Sequence, residues 1–275
     1  MKKKIVLLAT IVAALCMSMV LLAGCGSDEP ANNEGGEEAT VLVVGFDAGY
    51  PPYGYIADDG SYAGLDLDLA AEVCARNGWT LETTPIDWDA KDALLNDGSI
   101  TCVWNGFTYE GREGLYAWSE PYMLNAQVMI VKADSGIATL ADLAGKNVIT
   151  QVESAALDVL EAEENADLVA SFAGGAVQTI ATYNDAFMQL ETGLVDAVAC
   201  DLSIAAYQMA ANPGVYVQIA ELSAEHYAVG FKLGNEAMAA QVTATLKEMV
   251  ADGTAQQICE KYADQGIAWE GWCLK

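Results

Sequence analysis

Few side chains in this 275-residue chain are suited to acid–base or nucleophilic work at neutral pH. One histidine, His226, leaves little room for catalysis built on an imidazole. Beyond residue 25 the cysteines are Cys74, Cys102, Cys200, Cys259 and Cys273, odd in number and irregularly spaced, and no CxxC occurs. No metal framework is implied, and no cofactor or metal is expected. Cys74, Cys102 and Cys200 fall in apolar segments and read as small buried hydrophobes, whereas Cys259 and Cys273 either close a disulfide near the C-terminus or stay free. The cations are more informative because they are scarce: 12 Lys+Arg face 39 Asp+Glu, and only Arg76 and Arg112 are arginines. Arg76 sits at a predicted helix end, where it complements the dipole. Arg112 follows a glycine just past a predicted strand, and reads either as a surface ion pair or as a bidentate receptor for a carboxylate. Asp201 follows a predicted strand over 195–200. A carboxylate there lies where open α/β sheets bind ligands, and it also suits the N-cap of the next helix.

The net charge of −27 argues against nucleic acid, which is bound through a Lys/Arg footprint. Lys2, Lys3 and Lys4 precede an uncharged apolar run from Ile5 to Leu22, ending Leu22-Ala23-Gly24-Cys25. A basic start, a hydrophobic stretch and small residues predict a secretory signal over 1–24; a single membrane-spanning helix is the alternative. Cleavage before Cys25 would remove three basic residues and no acid, taking the net charge to −30. Residues 25–39, rich in Gly, Asn and Glu, read as a flexible tether.

From Thr40 onward, strand-like runs alternate with helical patterns. Strands are predicted at 41–46, 80–86, 100–104, 127–132, 148–151, 195–200 and 227–231. Helices are predicted at 65–77, 90–96, from 139, and at 154–163, 181–192, 202–211, 235–250 and 254–262. Such alternation implies α/β units with mainly parallel sheets. Connecting strands near 126–130 and 225–230 suggest a chain that crosses twice between two lobes, with a cleft and hinge between them. Trp104 reads as core and His226 as packing near the hinge.

Four stretches carry a resemblance. They are Gly45-Phe46-Asp47-Ala48-Gly49-Tyr50-Pro51-Pro52-Tyr53, Gly64-Leu65-Asp66-Leu67-Asp68-Leu69-Ala70, Asn105-Gly106-Phe107-Thr108-Tyr109-Glu110-Gly111-Arg112 and Trp118-Ser119-Glu120-Pro121-Tyr122. In order and spacing, over about Val41 to Tyr262, they resemble the solute-binding proteins of polar amino acid ABC importers, extracytoplasmic family 3. The resemblance implies an α/β, two-lobe, type II periplasmic-binding-protein-like fold with two hinge strands. Lobe 1 would be 40–125 and 226–275, and lobe 2 would be 126–225. Likewise, Leu-Ala-Gly-Cys resembles the cleavage and lipidation site of bacterial lipoproteins, with Cys25 diacylated at the extracytoplasmic membrane face; two acyl chains anchor stably where one does not.

The function implied is a monomeric receptor, not an enzyme, that traps an L-amino acid between lobes and delivers it to an ABC permease. In the family's register Arg112 takes the ligand carboxylate and Gly106 and Thr108 offer backbone and hydroxyl groups. Ser154 caps a lobe 2 helix aimed at the same ligand, and Asp201 holds its ammonium. Asp47, Tyr50 and Trp88 match positions lining the side-chain pocket; Tyr50 and Trp88 are equally open to a core-packing role. Departures lie at Glu110, Gln151 and Ala155. Glu110 with Asp47 would favour a basic side chain, while Tyr50 and Trp88 suit an aromatic or neutral one. The alternatives are an adhesin or sensory binding protein on the same fold, or a dehydratase-like enzyme.

Overall fold

The computed structural model describes residues 40–275. The expected signal segment, Cys25 and the tether lie outside the described residues. The chain enters as β1 (Val41–Phe46), then makes the short strands β2 (Gly49–Tyr50), β3 (Gly54–Ile56) and β4 (Tyr62–Ala63), which pair as a small antiparallel sheet. Helix α1 (Leu65–Asn77) starts and stops on legible signals. Asp66 and Asp68 occupy its first turn, Arg76 its last, and Gly78 ends it in the left-handed region (φ 66°) with its N–H on the Cys74 carbonyl. Leu65, Leu69, Ala70, Val73 and Cys74 form its buried stripe. Arg76 pairs with Glu72 and Asp252, both at 2.7 Å, so it ties α1 to the C-terminal helices and takes no part in a cavity.

Next come β5 (Thr80–Pro85), α2 (Lys91–Asp97), β6 (Cys102–Val103), β7 (Ala117–Trp118) and β8 (Met123–Lys132). They are followed by β9 (Val148–Gln151), α3 (Ala155–Glu161), α4 (Ala166–Ser171), β10 (Gln178–Ile180), α5 (Tyr183–Thr192) and β11 (Ala197–Asp201). The chain closes with α6 (Leu202–Ala211), β12 (Tyr216–Tyr227), β13 (Gly230–Phe231), α7 (Glu236–Ala251) and α8 (Thr254–Glu260).

Two five-stranded sheets result, ordered β5-β1-β6-β13-β7 and β10-β9-β11-β8-β12. Each is mixed, which corrects the expectation of mainly parallel sheets. The β1 pairings with β5 and β6 are parallel, as are those of β9 with β10 and β11. Strand β13 runs antiparallel to β6 and β7, and β8 antiparallel to β11 and β12. The antiparallel members are those that carry the chain from one sheet to the other. Strand β8 follows β7 of the first sheet within a few residues, and β12 of the second sheet hands over to β13 of the first through Ala228 and Val229.

Several local expectations need correction. The segment from Thr139 is one 3₁₀ turn, Leu140–Leu143, closed by a capping box between Thr139 and Asp142. The expected late strand over 227–231 is split, because β12 begins as early as Tyr216 and ends at Tyr227. Helix α4 and strand β10 were not anticipated; β10 is a short, largely exposed edge. Cys259 and Cys273 are free thiols, the first buried and the second partly so, with no disulfide between them. Cys74, Cys102 and Cys200 are buried, and Trp104 is fully enclosed in the core. Among the described residues no helix is long and apolar enough to cross a membrane, and no cluster of three or more His, Cys, Asp or Glu is disposed to hold a metal.

Candidate functional site

Loops from the first sheet and strand ends from the second meet around one small cavity. Tyr50, Trp88, Gly106, Thr108, Arg112, Ser154 and Asp201 line it, with Gln151 and Ala155 completing the wall. The cavity is about 10 Å³, room for a single water. It adjoins a larger one of about 690 Å³, which shares Thr108, Arg112 and Ala155 and is also lined by Glu110, Glu153, Asp158 and Glu225. A molecule larger than water reaches Asp201 and the other groups confined to the inner cavity only if the walls part, whereas Arg112 and Thr108 are open to the larger cavity as well.

Arg112 follows Gly111, whose φ of 79° makes the turn that brings the arginine inward. The residue is 8% exposed. One guanidinium nitrogen, Nη2, donates to Asp158 Oδ2 at 2.6 Å from α3, and the group lies over the Phe107 ring at 5.6 Å. The Glu153 carbonyl lies at 3.5 Å from the same nitrogen and receives the Trp88 indole N–H at 3.2 Å. Glu153 has a positive φ of 52°, uncommon for a residue with a side chain. That conformation sets its carbonyl between Trp88 and Arg112, while its carboxylate takes Lys91 Nζ at 2.7 Å.

Opposite charge sits deeper. Asp201 ends β11 and precedes α6, yet its side chain makes no capping bond to that helix. Oδ1 accepts instead from Asn125 Nδ2 (2.9 Å), Gln127 Nε2 (2.7 Å) and the Tyr227 hydroxyl (3.0 Å). Burial pushes its carboxyl above the usual carboxylate range against the lowering effect of these bonds. Beside it Glu225, in β12, accepts from Thr108 Oγ1 (2.7 Å), Asn125 Nδ2 (2.7 Å) and Gln127 Nε2 (2.8 Å). Burial first, and the Asp201 charge second, raise Glu225 to about 7.

The remaining candidates divide between wall and support. The Tyr50 hydroxyl is hydrogen-bonded to that of Tyr227 at 2.9 Å, so it belongs to the Asp201 network as well as to the cavity wall. Gly106 has φ 54°, and a Cβ on it would stand 2.9 Å from the Tyr50 ring and 3.1 Å from Tyr227; only glycine fits that turn. Its N–H donates to Asp66 at 2.6 Å, and Asp66 also takes the Tyr122 hydroxyl at 2.7 Å. Ser154 caps α3, accepting the Leu157 N–H at 3.1 Å, and lines the cavity as well. Trp88 packs edge-on against Phe107 and lines the cavity too, so it serves core and wall together.

Asp47 is the candidate that does not reach the inner cavity. Its carboxylate accepts the Gly49 N–H (2.7 Å) and Gln151 Nε2 (2.6 Å), one residue behind the wall that Gln151 forms. Burial raises its pKa, and those two bonds oppose the rise. Glu110, read from sequence as a partner for Asp47, is engaged elsewhere: both its oxygens bind His226, one at the ring Nδ1 (2.6 Å) and one at the backbone N–H (2.7 Å).

The sequence reading missed Glu225, Asn125, Gln127, Asp158 and the supporting Asp66. The last stood in a quoted motif without a role. For Glu225, Asn125 and Gln127 the sole hint was polar side chains in or beside a predicted linking strand; Asp158, on a predicted helix, gave none. Taken together, a buried guanidinium and the buried Asp201 face one cavity flanked by hydroxyls and aromatic walls, and Glu225, which lines the larger cavity, joins them through Thr108 and the shared amides. No nucleophile–base pair accompanies them among the residues that line it. The arrangement can hold a small molecule carrying separated opposite charges.

Known proteins bear on what that molecule is. The chain is 29% identical over 258 residues to the L-cystine-binding protein TcyJ of Escherichia coli (strain K12), covering 90% of this chain and 92% of that one. An ABC uptake transporter substrate-binding protein from Streptococcus pneumoniae, solved with bound histidine, superposes with a TM-score of 0.79. That alignment has 32% identity and covers 83% of this chain and 94% of that one. An ancestral arginine-binding protein bound to arginine gives a TM-score of 0.71 at 33% identity, over 81% and 97% of the two chains. These neighbours are type II periplasmic-binding proteins, and this chain has that fold. The sequence profile of the bacterial extracellular solute-binding proteins, family 3, matches residues 42–265, and the chain belongs to that family.

Proposed function

We propose that this protein is an extracytoplasmic receptor that captures one L-amino acid between two lobes, 40–125 with 226–275 and 126–225, and presents it to the permease of an ABC importer. The observation that carries this reading is the convergence of one guanidinium, Arg112, and one buried acid, Asp201, on a single cavity. A free α-amino acid has one carboxylate and one ammonium on the same carbon, and a desolvated zwitterion needs a partner for each. Thr108, Gly106 and Ser154 supply polar groups around the same space, and Tyr50 and Trp88 supply apolar walls. At about 10 Å³ the inner cavity is too small for an amino acid, so the lobes open about β8 and β12 to admit it and close to bury it. Closure would then give the permease a surface that the empty, open form lacks.

Cys25, diacylated after cleavage of residues 1–24, would hold the receptor at the membrane. Mass spectrometry of the mature N-terminus, with and without Cys25→Ala, tests the anchor. A thermal-shift screen of the twenty common L-amino acids and L-cystine tests the receptor. Binding to the folded state alone raises the melting temperature, by about 2.7 kcal/mol of added stability at 100 times the Kd. A panel with no shift, repeated by calorimetry with no heat, would overturn the reading.

A further inference from the structure

Glu225 is 4% exposed and stands beside another acid, Asp201, in surroundings too organised to be incidental. Its Oε1 accepts three hydrogen bonds, from Thr108 Oγ1, Asn125 Nδ2 and Gln127 Nε2. The same two amide nitrogens donate to Asp201 Oδ1. An amide NH2 has two hydrogens, so each amide is used up by one bond to each acid. Thr108 likewise spends its one hydroxyl hydrogen on Glu225, and what it presents to the cavity is a lone pair. All these bonds fall on Oδ1 and Oε1, leaving Oδ2 and Oε2 out of them.

Resting on the amino-acid reading above, we propose that Glu225 is a positioning residue and the second acid of the ammonium receptor. Through Thr108 it fixes an acceptor for the ligand's ammonium, and with Asp201 it holds one proton in the empty site that leaves to solvent when the ammonium arrives. The bookkeeping is simple: the empty pair carries one proton and one negative charge, the occupied pair two negative charges against the incoming positive one. Every charged neighbour argues for this exchange. Asp201 lies on β11; Tyr50 on β2, Tyr53 just after it, Tyr183 on α5 and Tyr227 on β12 all have pKa values far above the ordinary one and stay neutral. Glu110 and His226 are taken up with each other, Arg112 with Asp158, and Glu221 lies on the exposed stretch of β12. Arg112 faces the same space but spends Nη2 on Asp158, and Lys91 is paired with Glu153, so among the described residues no cation pairs with either acid before the ligand brings one. Burial and the mutual repulsion of the two acids, which raise Glu225 to about 7, act in the same direction.

The test is calorimetry on the full mature chain. The probe is the tightest binder from the thermal-shift panel that has no group of its own titrating between pH 5.5 and 8, for example L-arginine. Titrations at pH 6.5 in two buffers of different ionisation enthalpy count the protons exchanged. We expect release of roughly half a proton or more per ligand, and an affinity that rises with pH between 5.5 and 8. Glu225→Gln keeps the shape and the acceptor oxygen; it should release none, bind about tenfold or more weakly at pH 8, and show a flat pH profile. Wild-type binding without proton release, or Glu225→Gln with unchanged affinity and unchanged proton count, would overturn the inference while leaving the amino-acid reading intact. No binding to any panel member would take down both. Should Glu225→Gln fail to fold, judged by circular dichroism, the wild-type proton count alone decides.

Discussion

The two ends of the cavity are built in different ways. At the acid end every member except Thr108 and Tyr50 comes from neighbouring strands of one sheet. Asp201 stands opposite Gln127 in the β11–β8 ladder, and Glu225 opposite Asn125 in the β12–β8 ladder. Asn125 and Gln127 are two residues apart and so project on the same face of β8. Backbone hydrogen bonds therefore fix the acids and their amides before any ligand arrives. At the guanidinium end Arg112 reaches from a loop between β6 and β7; its own loop steadies it through the Thr108 carbonyl and the Phe107 ring, and its other partners, Asp158 and the Glu153 carbonyl, belong to α3 and the turn before it. That end is whole only when elements of both sheets meet. On the proposed receptor reading the difference assigns separate duties: one end is preorganised and discriminates, the other registers that the walls have come together.

The largest effect should come from removing the group that no neighbour can replace. Arg112→Ala would leave the ligand carboxylate buried without a partner, a loss typically of about 2–5 kcal/mol, or roughly 30-fold to several thousand-fold in Kd. Calorimetry against the panel's best ligand reads the affinity, and circular dichroism with melting should show the fold retained. Unchanged affinity would remove Arg112 from the site and end the comparison.

Asp201→Asn should act on the preorganised end alone. The asparagine keeps an oxygen where Asn125, Gln127 and Tyr227 donate, so the network of the empty protein survives. It also removes an acid whose ionised form burial disfavours. Folding raises this pKa, so near neutral pH the carboxylate costs stability relative to the unfolded chain. The expected result is an equal or higher melting temperature without ligand, and about 10- to 100-fold weaker binding, since a charged hydrogen bond contributes about 1.5–3 kcal/mol. A lower melting temperature with unchanged Kd would make Asp201 a structural acid and not a receptor.

How much of this was legible in the sequence follows from the same contrast. Arg112 could be found because the chain has only two arginines and the other reads as a helix end. Asp201 could be found because it closes an apolar strand and opens a helix. Glu225 could not. It is one of 39 acids, and β12 shows no clean alternation of buried and exposed residues: its pattern includes two register shifts against β8. What makes Glu225 special is its pairing with Asn125, a hundred residues away, and register across that distance leaves no local signature. Asp47 illustrates the reverse limit. Its motif placed it beside the ligand groups, but the Gln151 amide stands between it and the inner cavity, a side-chain detail that spacing does not carry. The chain's two crossings between sheets were legible from the linking strands; their antiparallel pairing was not, since strand direction is set by which sheet the chain has just left.

Asp158 gives the finest test of the assembled end. It holds Arg112 at 2.6 Å, yet its own side chain is 62% exposed, so water and salt screen the pair. Exposed ion pairs contribute about 0–1 kcal/mol, and Arg112 is also steadied by the Phe107 ring and has further N–H groups free to meet a carboxylate. Asp158→Asn should therefore weaken binding no more than about fivefold in low salt, and the deficit should shrink as sodium chloride is added. The same substitution placed into Asp201→Asn should add to it, because Asp158 and Asp201 share no hydrogen-bond partner. Strong non-additivity in that double mutant would mean that closure at the rim reaches back to the acids on the sheet, and that the two ends work as one device.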